Sequence, residues 1–275
     1  MNRAFRVVAA GALALTLAFL ALPVVGILTR VGPAEIVREL GGETAREAIA
    51  VTAVTSLVAH AIVLAVGTPA AYALAGRRFR GRSLVLSLIE LPLVLPPAVA
   101  GIGLLAAFGS QGLLGGALEV AGVRVPFTQA AVVMAVVFVS SPFYVRGAIS
   151  AFESVDPSIT EAARTLGAGP WRVFRRVALP LAAGGLGAGS TLAFARGVGE
   201  FGATIIFAGS FPGRTETLSL AIYAELDRDL DTALAIGALL VALSVAILVS
   251  SKVIGRWRSE SRSPSPSGPS PSTWR

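Results

Sequence analysis

Residues 153–185 have the sequence ESVDPSITEAARTLGAGPWRVFRRVALPLAAGG and connect two long apolar stretches of the chain. Asp156 followed by Pro157 is typical of a helix start, because Asp caps the first turn and Pro fits the first helical position. We therefore expect a short helix that begins at Ser158 and ends at Gly167.

The second half of this segment predicts a corner followed by a basic amphipathic helix. Gly169-Pro170 favours a turn, and residues 171–177 combine three Arg with apolar side chains before Leu179-Pro180 leads into the next apolar stretch. A membrane protein does not need such an exposed element for its own stability. The residues alone leave two interpretations open, a docking surface for a partner protein and a helix that lies on anionic lipid.

The composition places most of the chain in a membrane. Apolar residues make up 54% of the 275 residues and charged residues only 14%, whereas soluble domains carry about 25% charged residues. One core cannot bury this much apolar surface, so lipid must be the solvent for much of it.

Six apolar segments are each near the roughly 20 residues that a helix needs to cross a bilayer. They predict an all-α membrane protein with six transmembrane helices. In chain order the segments are 7–28, 48–75, 84–108, 128–150, 178–209 and 232–254.

The basic residues predict the orientation of these helices. Sixteen Arg and Lys residues flank the segments on one side and six on the other. Because basic residues concentrate on the cytoplasmic side, we expect a multi-pass protein of the plasma or inner membrane with both termini in the cytoplasm. The net charge of +7 follows from this loop pattern, so no nucleic-acid partner is expected.

Three residue counts exclude classes of catalytic site. The chain has no Cys and therefore no thiolate metal site or cysteine nucleophile. A single histidine, His60, excludes a multi-histidine metal site. The single lysine, Lys252, follows no glycine-rich loop, so the chain cannot be a P-loop ATPase. We expect neither a metal site nor an enzymatic activity in this chain.

Seven positions of the 153–185 segment match a known motif in type and spacing: Glu161, Ala162, Ala163, Gly167, Val177, Leu179 and Pro180. They resemble the EAA–x3–G–x9–I–x–LP motif of ABC importer permeases, with Val177 in place of Ile. In that family the motif forms a cytoplasmic coupling helix that docks in a groove of a separate ATPase subunit. The resemblance therefore implies that all of these positions except Val177 carry ATPase coupling.

Further stretches narrow the resemblance to one branch of this family. Residues 91–101 (LPLVLPPAVAG), 196–204 (RGVGEFGAT) and 212–218 (PGRTETL) together look like the permease subunit of a molybdate importer. The GEFGAT element is shared by much of the molybdate, tungstate and sulfate group. The PGRTETL element and the AIY that follows it are closer to molybdate or tungstate permeases than to sulfate permeases. The resemblance covers roughly residues 45–250.

This resemblance implies a type I ABC importer permease that acts within a larger assembly. The expected assembly is a homodimer with two cytoplasmic ATPase subunits and an extracytoplasmic oxyanion-binding protein. ATP and Mg would be bound by the ATPase partner, and no cofactor is expected in this chain. Molybdate is the expected substrate, with sulfate, thiosulfate or tungstate as the alternatives.

Polar groups and breaks in regular structure are costly inside a bilayer and therefore indicate function or a cavity. Arg196 and Glu200 are four residues apart, so they share a helix face and can neutralise each other. We expect the pair to line or brace the path, and the alternative is a static ion pair. The residues expected along the translocation path are Arg196, Glu200, Ser190, Thr204, Pro96 and Pro97.

Other features of the membrane segments have structural interpretations. Glu90 precedes Pro92 and is expected to support a proline kink, with a pore-facing position as the alternative. His60, between two alanines, is expected to be a packing residue. Seven glycines between residues 184 and 202 favour close contact between helices.

The chain divides into three parts. Residues 1–44 hold the first transmembrane helix and an external loop, residues 45–254 form the permease domain, and the Ser- and Pro-rich residues 255–275 are expected to be a disordered tail. Two other functional classes stay open. An ion-gradient-driven carrier would have to use Glu90, His60 or the Arg196–Glu200 pair, and a membrane hydrolase would need His60 in a serine–histidine dyad.

Overall fold

The structure is a computed structural model that describes residues 3–76 and 79–260. Within these ranges all regular structure is helical. The helices are α1 Arg3–Arg30, α2 Pro33–Leu40, α3 Glu43–Leu74, α4 Arg82–Val94, α5 Pro97–Phe108, α6 Gly115–Val120, α7 Gln129–Glu153, α8 Pro157–Thr165, α9 Pro170–Val173, α10 Leu179–Val198, α11 Gly202–Ala208, α12 Leu218–Glu225 and α13 Leu230–Glu260, with a π-helical turn at Phe174–Ala178.

Five helices of the described chain are long and apolar enough to cross a membrane, and a broken pair makes a sixth span. The six predicted spans agree with this count when α4 and α5 are taken together as one interrupted span. Its two parts, α4 and α5, meet at an angle of 115°. Leu95 between them is extended, because a residue that precedes proline disfavours the helical conformation, and Pro96 has no N–H for a helical hydrogen bond.

The fifth predicted span is also broken, which corrects the expectation of one helix over residues 178–209. α10 ends at Val198, and α11 begins at Gly202. Gly199 has low helix propensity, and the Glu200 carboxylate accepts a hydrogen bond from the Ala203 N–H at 2.9 Å. The Glu200 side chain thus caps the first turn of α11. This hydrogen bond stabilises a second helix start within the predicted span.

α7 lies at the centre of the bundle and packs against α3 and α10. A Cβ atom on Gly147 would lie 3.0 Å from the Gly189 Cα, and a Cβ on Gly185 would also meet α7. These glycines let the two helix backbones approach closely, as expected. Gly187 and Gly199 adjoin open space instead.

Successive connecting segments lie alternately at the two ends of the helix bundle. At one end, the Thr232 hydroxyl at the start of α13 donates to the Glu39 carboxylate of α2 at 2.9 Å. At the other end, Arg82 and Glu153 form an ion pair at 2.7 Å. α8 and α9 lie at this second end.

The structure describes most of the N-terminal region and part of the C-terminal tail. α1 has no buried residue, and α3 begins at Glu43, next to the expected boundary at residue 45. α13 runs to Glu260, so six residues of the expected tail are helical. Residues 261–275 of that tail, and Arg77 and Arg78 of the basic loop, lie outside the described residues.

Candidate docking helix and translocation path

α8 begins and ends where the sequence predicts. The Ser158 N–H donates to the Asp156 carboxylate at 2.9 Å, and Pro157 occupies the first turn. This hydrogen bond and that of the Ser158 hydroxyl hold the pKa of Asp156 below its usual value. At the other end Gly167 adopts a φ of +83°, and the Ala168 N–H donates to the Ala163 carbonyl at 3.0 Å. This is a glycine C-cap.

α8 presents one side to solvent at the end of the bundle. Glu161 and Ala162 are exposed, Ala163 is half-buried, and Leu166 is 88% exposed. A large apolar side chain beside a small-residue surface is typical of a protein contact. The arrangement therefore favours the docking interpretation of this segment over a helix that rests on lipid through an apolar face.

Beneath α8 lies a cavity of about 440 Å³ whose lining includes Tyr72, Phe152 and Arg164. The Tyr72 ring packs against the rings of Phe152 and Phe174 at centroid distances of 5.2 and 4.8 Å. These three rings, from α3, α7 and the π turn, form a cluster beside the cavity, and the cavity separates α8 from the ends of α3 and α7.

Leu179 and Pro180 do not separate two helices, which corrects the expected boundary. Residues Pro170–Val198 form one long helix that is widened at Phe174–Ala178 into a π turn. The Leu179 N–H donates to the Phe174 carbonyl, five residues back. A proline at position 180 removes one helical N–H and crowds the preceding turn, and the π turn accommodates it.

The Arg196–Glu200 ion pair forms as predicted, with 2.7 Å between Arg196 Nη1 and Glu200 Oε2. The Glu200 side chain is 1% exposed, and Arg196 is one-third exposed. Because Glu200 also caps α11, the pair joins the end of α10 to the start of α11. Both contacts of the Glu200 carboxylate, with Arg196 of α10 and with the first turn of α11, are therefore structural.

The two broken spans contact each other at their breaks. Pro97, the first residue of α5, packs against Gly202, the first residue of α11. One turn later a Cβ on Gly101 would lie 2.8 Å from the Ile206 Cβ and 2.9 Å from the Ala203 carbonyl oxygen. α5 and α11 therefore form a closely packed pair, and the side chains of Pro96 and Pro97 stay exposed.

The two predicted hydroxyl donors lie in different places. Ser190 Oγ is 2.9 Å from His60 Nε2, and the His60 ring packs edge-on against Phe194. Thr204 is fully buried, and among the described residues its hydroxyl has no hydrogen-bond partner. An anion would reach Thr204 only after α11 moves.

The His60–Ser190 contact does not make a hydrolase site. Ser190 lies in the interior of α10, where backbone N–H groups are engaged within the helix. A serine nucleophile also needs free N–H donors for the developing oxyanion. His60 therefore packs between α3 and α10 through one hydrogen bond and one aromatic contact.

The ion pair between Glu90 and Arg146 was not predicted from the sequence. Arg146 Nε lies 3.2 Å from Glu90 Oε1, whereas the sequence assigned Arg146 to the basic loops and Glu90 to the proline kink. The two residues belong to α7 and α4, and no local spacing connects them. A charged residue in each of two apolar helices was the available signal.

Comparison with known proteins decides the family. Residues 64–259 match the family described as "Binding-protein-dependent transport system inner membrane component". The chain belongs to this family. The permease motif in α8 and the broken membrane helices are thus parts of a binding-protein-dependent transport component.

Two relatives of this permease carry informative names. "Molybdenum transport system permease protein ModB" of Mycobacterium tuberculosis is 42% identical over 231 residues, which are 84% of this chain and 88% of that protein. "Sulfate transport system permease protein CysW" of Synechococcus elongatus is 37% identical over 191 residues, 70% of this chain and 67% of that one.

A solved structure has the same fold. A chain of a bacterial alginate ABC transporter, in complex with its alginate-bound periplasmic protein, superposes with a TM-score of 0.69 at 17% identity. The match covers 93% of this permease and 95% of that chain. The fold predicted from the sequence, a type I ABC importer permease, is confirmed.

Proposed function

We propose that this permease carries molybdate into the cell as the membrane subunit of an ATP-driven importer. The observation that carries the proposal is α8, a capped and exposed helix that presents the permease motif at one end of the bundle. The 42% identity to a molybdenum permease over most of both chains supports molybdate as the substrate.

The proposed assembly contains two copies of this chain, two cytoplasmic ATPase subunits and an external oxyanion-binding protein. α8 lies at the bundle end that also holds Arg82 and the end of α7. Because basic residues concentrate on the cytoplasmic side, this end is assigned to the cytoplasm. Glu161, Ala162, Ala163 and Gly167 would contact the ATPase. ATP and Mg would be bound by that partner, and this chain would hydrolyse nothing.

Coupling would pass along α9 and α10. When ATP brings the two ATPases together, α8 is displaced over the cavity beneath it, and the continuous helix from Pro170 transmits the movement to Val198. At this end Arg196 pairs with Glu200, which precedes α11, and α11 packs on α5. A shift there would open or close the passage between the broken spans.

The direct test measures cellular molybdenum by elemental mass spectrometry, with and without the gene, at trace external molybdate. Loss of molybdenum uptake with unchanged sulfur and phosphorus is expected. Unchanged molybdenum would contradict molybdate import. Collapse of the membrane potential at constant ATP should leave uptake intact, since an ion-gradient carrier would stop under this treatment.

Sulfate is the second candidate substrate because a sulfate permease is also similar to this chain at 37% identity. The same measurement separates the two, since sulfate import predicts a sulfur defect on limiting sulfate and no molybdenum defect. Tungstate is a tetrahedral dianion like molybdate, and the same elemental mass spectra measure cellular tungsten.

A further inference from the structure

A groove of about 600 Å³ runs between α7 and α10, outside the path residues described above. Its α10 wall contains the small residues Gly185, Ala188 and Gly189, followed by Leu192. Its α7 wall carries Arg146, Ser150 and Ser154, which are four residues apart and therefore share one helix face. On the α10 side of the groove, the glycines let a ligand approach the helix backbone closely. On the α7 side, the groove carries a row of polar side chains.

Arg146 lies inside the membrane span. It precedes the end of α7 at Glu153 by seven residues, which is about 10 Å along a helix. Its side chain is nevertheless 61% exposed. Because a guanidinium is costly to expose to hydrocarbon, this face of the bundle must border water or protein.

The ion pair with Glu90 leaves part of the guanidinium free. The contact runs through Nε of Arg146 at 3.2 Å, and among the described residues no hydrogen bond to either Nη atom is present. Ser150 is exposed beside it, one turn nearer the end of α7. Two N–H groups on one planar edge match two oxygens of a tetrahedral oxyanion.

We propose that Arg146 contacts the oxyanion in transit, on the inner half of the passage, and that Glu90 is a positioning residue that holds its guanidinium through Nε. The inference rests on the proposed function and names a residue of the same path. Arg196 is less suited, since its carboxylate partner is buried and already caps α11. The negative charge of Glu90 also reduces the net positive charge around Arg146. The site therefore attracts the anion without binding it so tightly that release is prevented.

The absence of cysteine from the chain permits a test that does not depend on import. Ser150→Cys, which changes one atom, is labelled in the assembled complex with an anionic and a cationic methanethiosulfonate of similar size. Each rate is divided by the rate with a small thiol in solution. Leu57→Cys on the exposed apolar side of α3 is the matched control.

Ser150→Cys should react, and the anionic reagent should be favoured by roughly tenfold, as positive grooves favour anions. Molybdate should slow the reaction. Adding Arg146→Gln should remove both the charge preference and the protection, while Leu57→Cys stays unreactive. A charge preference that is unchanged by Arg146→Gln would overturn the proposal. So would unreactive Ser150→Cys that forms a disulfide between two copies, because the groove would then be a contact between subunits.

Import measurements separate an anion contact from a structural ion pair. Arg146→Gln should reduce molybdate uptake at least tenfold, with the complex still assembled. The exchange Glu90→Arg/Arg146→Glu should keep the complex assembled and retain its thermal stability without restoring uptake. Normal uptake by the exchanged protein would overturn the proposal. If the unmodified complex imports no oxyanion, the proposed function fails, whereas the labelling preference still tests Arg146.

Discussion

Gly167 ends the exposed helix α8 with a φ of +83°, and apart from its chain neighbours no atom lies within 4 Å of the position of a Cβ there. Replacing it with Ala therefore adds no clash and changes only the backbone energy. An L-residue in the left-handed region costs roughly 1–2 kcal/mol. That cost lowers the ratio of the native to the non-native α8 end by a factor of about 5 to 30.

We expect Gly167→Ala to lower molybdate-stimulated ATP hydrolysis of the reconstituted complex, by at most that factor, because the ATPase would meet the native α8 end less often. Gly167→Asn should lose less, since Asn adopts the left-handed conformation more readily. Membrane insertion should be normal for both variants. Gly167→Trp should uncouple the complex as well, through the backbone and through its bulk at the docking surface.

Gly169 provides the matched control in the same loop. It also adjoins open space, but its φ is −65°, which any residue adopts. Gly169→Ala should therefore retain stimulated ATP hydrolysis. Equal activities of Gly167→Ala and Gly169→Ala would refute the reasoning, because the left-handed C-cap would then contribute nothing to coupling.

Three further changes test other parts of the structure. Gly101→Leu meets the α11 backbone, so overpacking should cost about 1–3 kcal/mol and lower the thermal midpoint of the complex; Gly103→Leu adjoins open space, and an equal loss there would contradict this packing. Glu200→Ala removes the partner of Arg196 and the cap of α11, so denaturant unfolding in detergent should show a loss of about 3–5 kcal/mol; normal import by Arg196→Glu/Glu200→Arg would exclude an anion contact by Arg196. The lowered pKa of Asp156 means that its cap persists above the ordinary Asp pKa and is lost as the pH falls through the lowered value. The protection factors of the α8 amides, measured against the intrinsic exchange rate at each pH, should therefore fall in acid. Asp156→Asn should abolish this dependence, and an unchanged pH profile in that variant would count against the cap.

The docking helix could be predicted because its signals are local. An Asp-Pro start and a glycine end act on neighbouring residues of one helix, and they place α8 within two residues of its observed bounds. The membrane spans could be predicted for the same reason, since length and hydropathy act along the chain. The Arg196–Glu200 pair was predicted from a spacing of four residues, and it forms although Glu200 lies just beyond the end of α10.

The contacts between helices could not be predicted in this way. Glu90 with Arg146, and His60 with Ser190, join residues of different helices whose rotation and depth are set by packing across the bundle. The break before α11 was missed because apolar composition continues through it. Its cause is one hydrogen bond from Ala203 to the Glu200 side chain, which competes with continued helix.

The length of the helix Pro170–Val198 determines how far a small rotation at one end displaces the other end. Its 29 residues span about 43 Å at the helical rise, so it acts as a lever arm with α8 beside one end and Glu200 just beyond the other. Pivoting about its cytoplasmic end by 10° would carry the far end through roughly 7 Å, wider than the 5.4 Å of one helical turn. A small rotation of this single rod would thus suffice to carry a whole turn of the chain past its neighbour in mid-membrane.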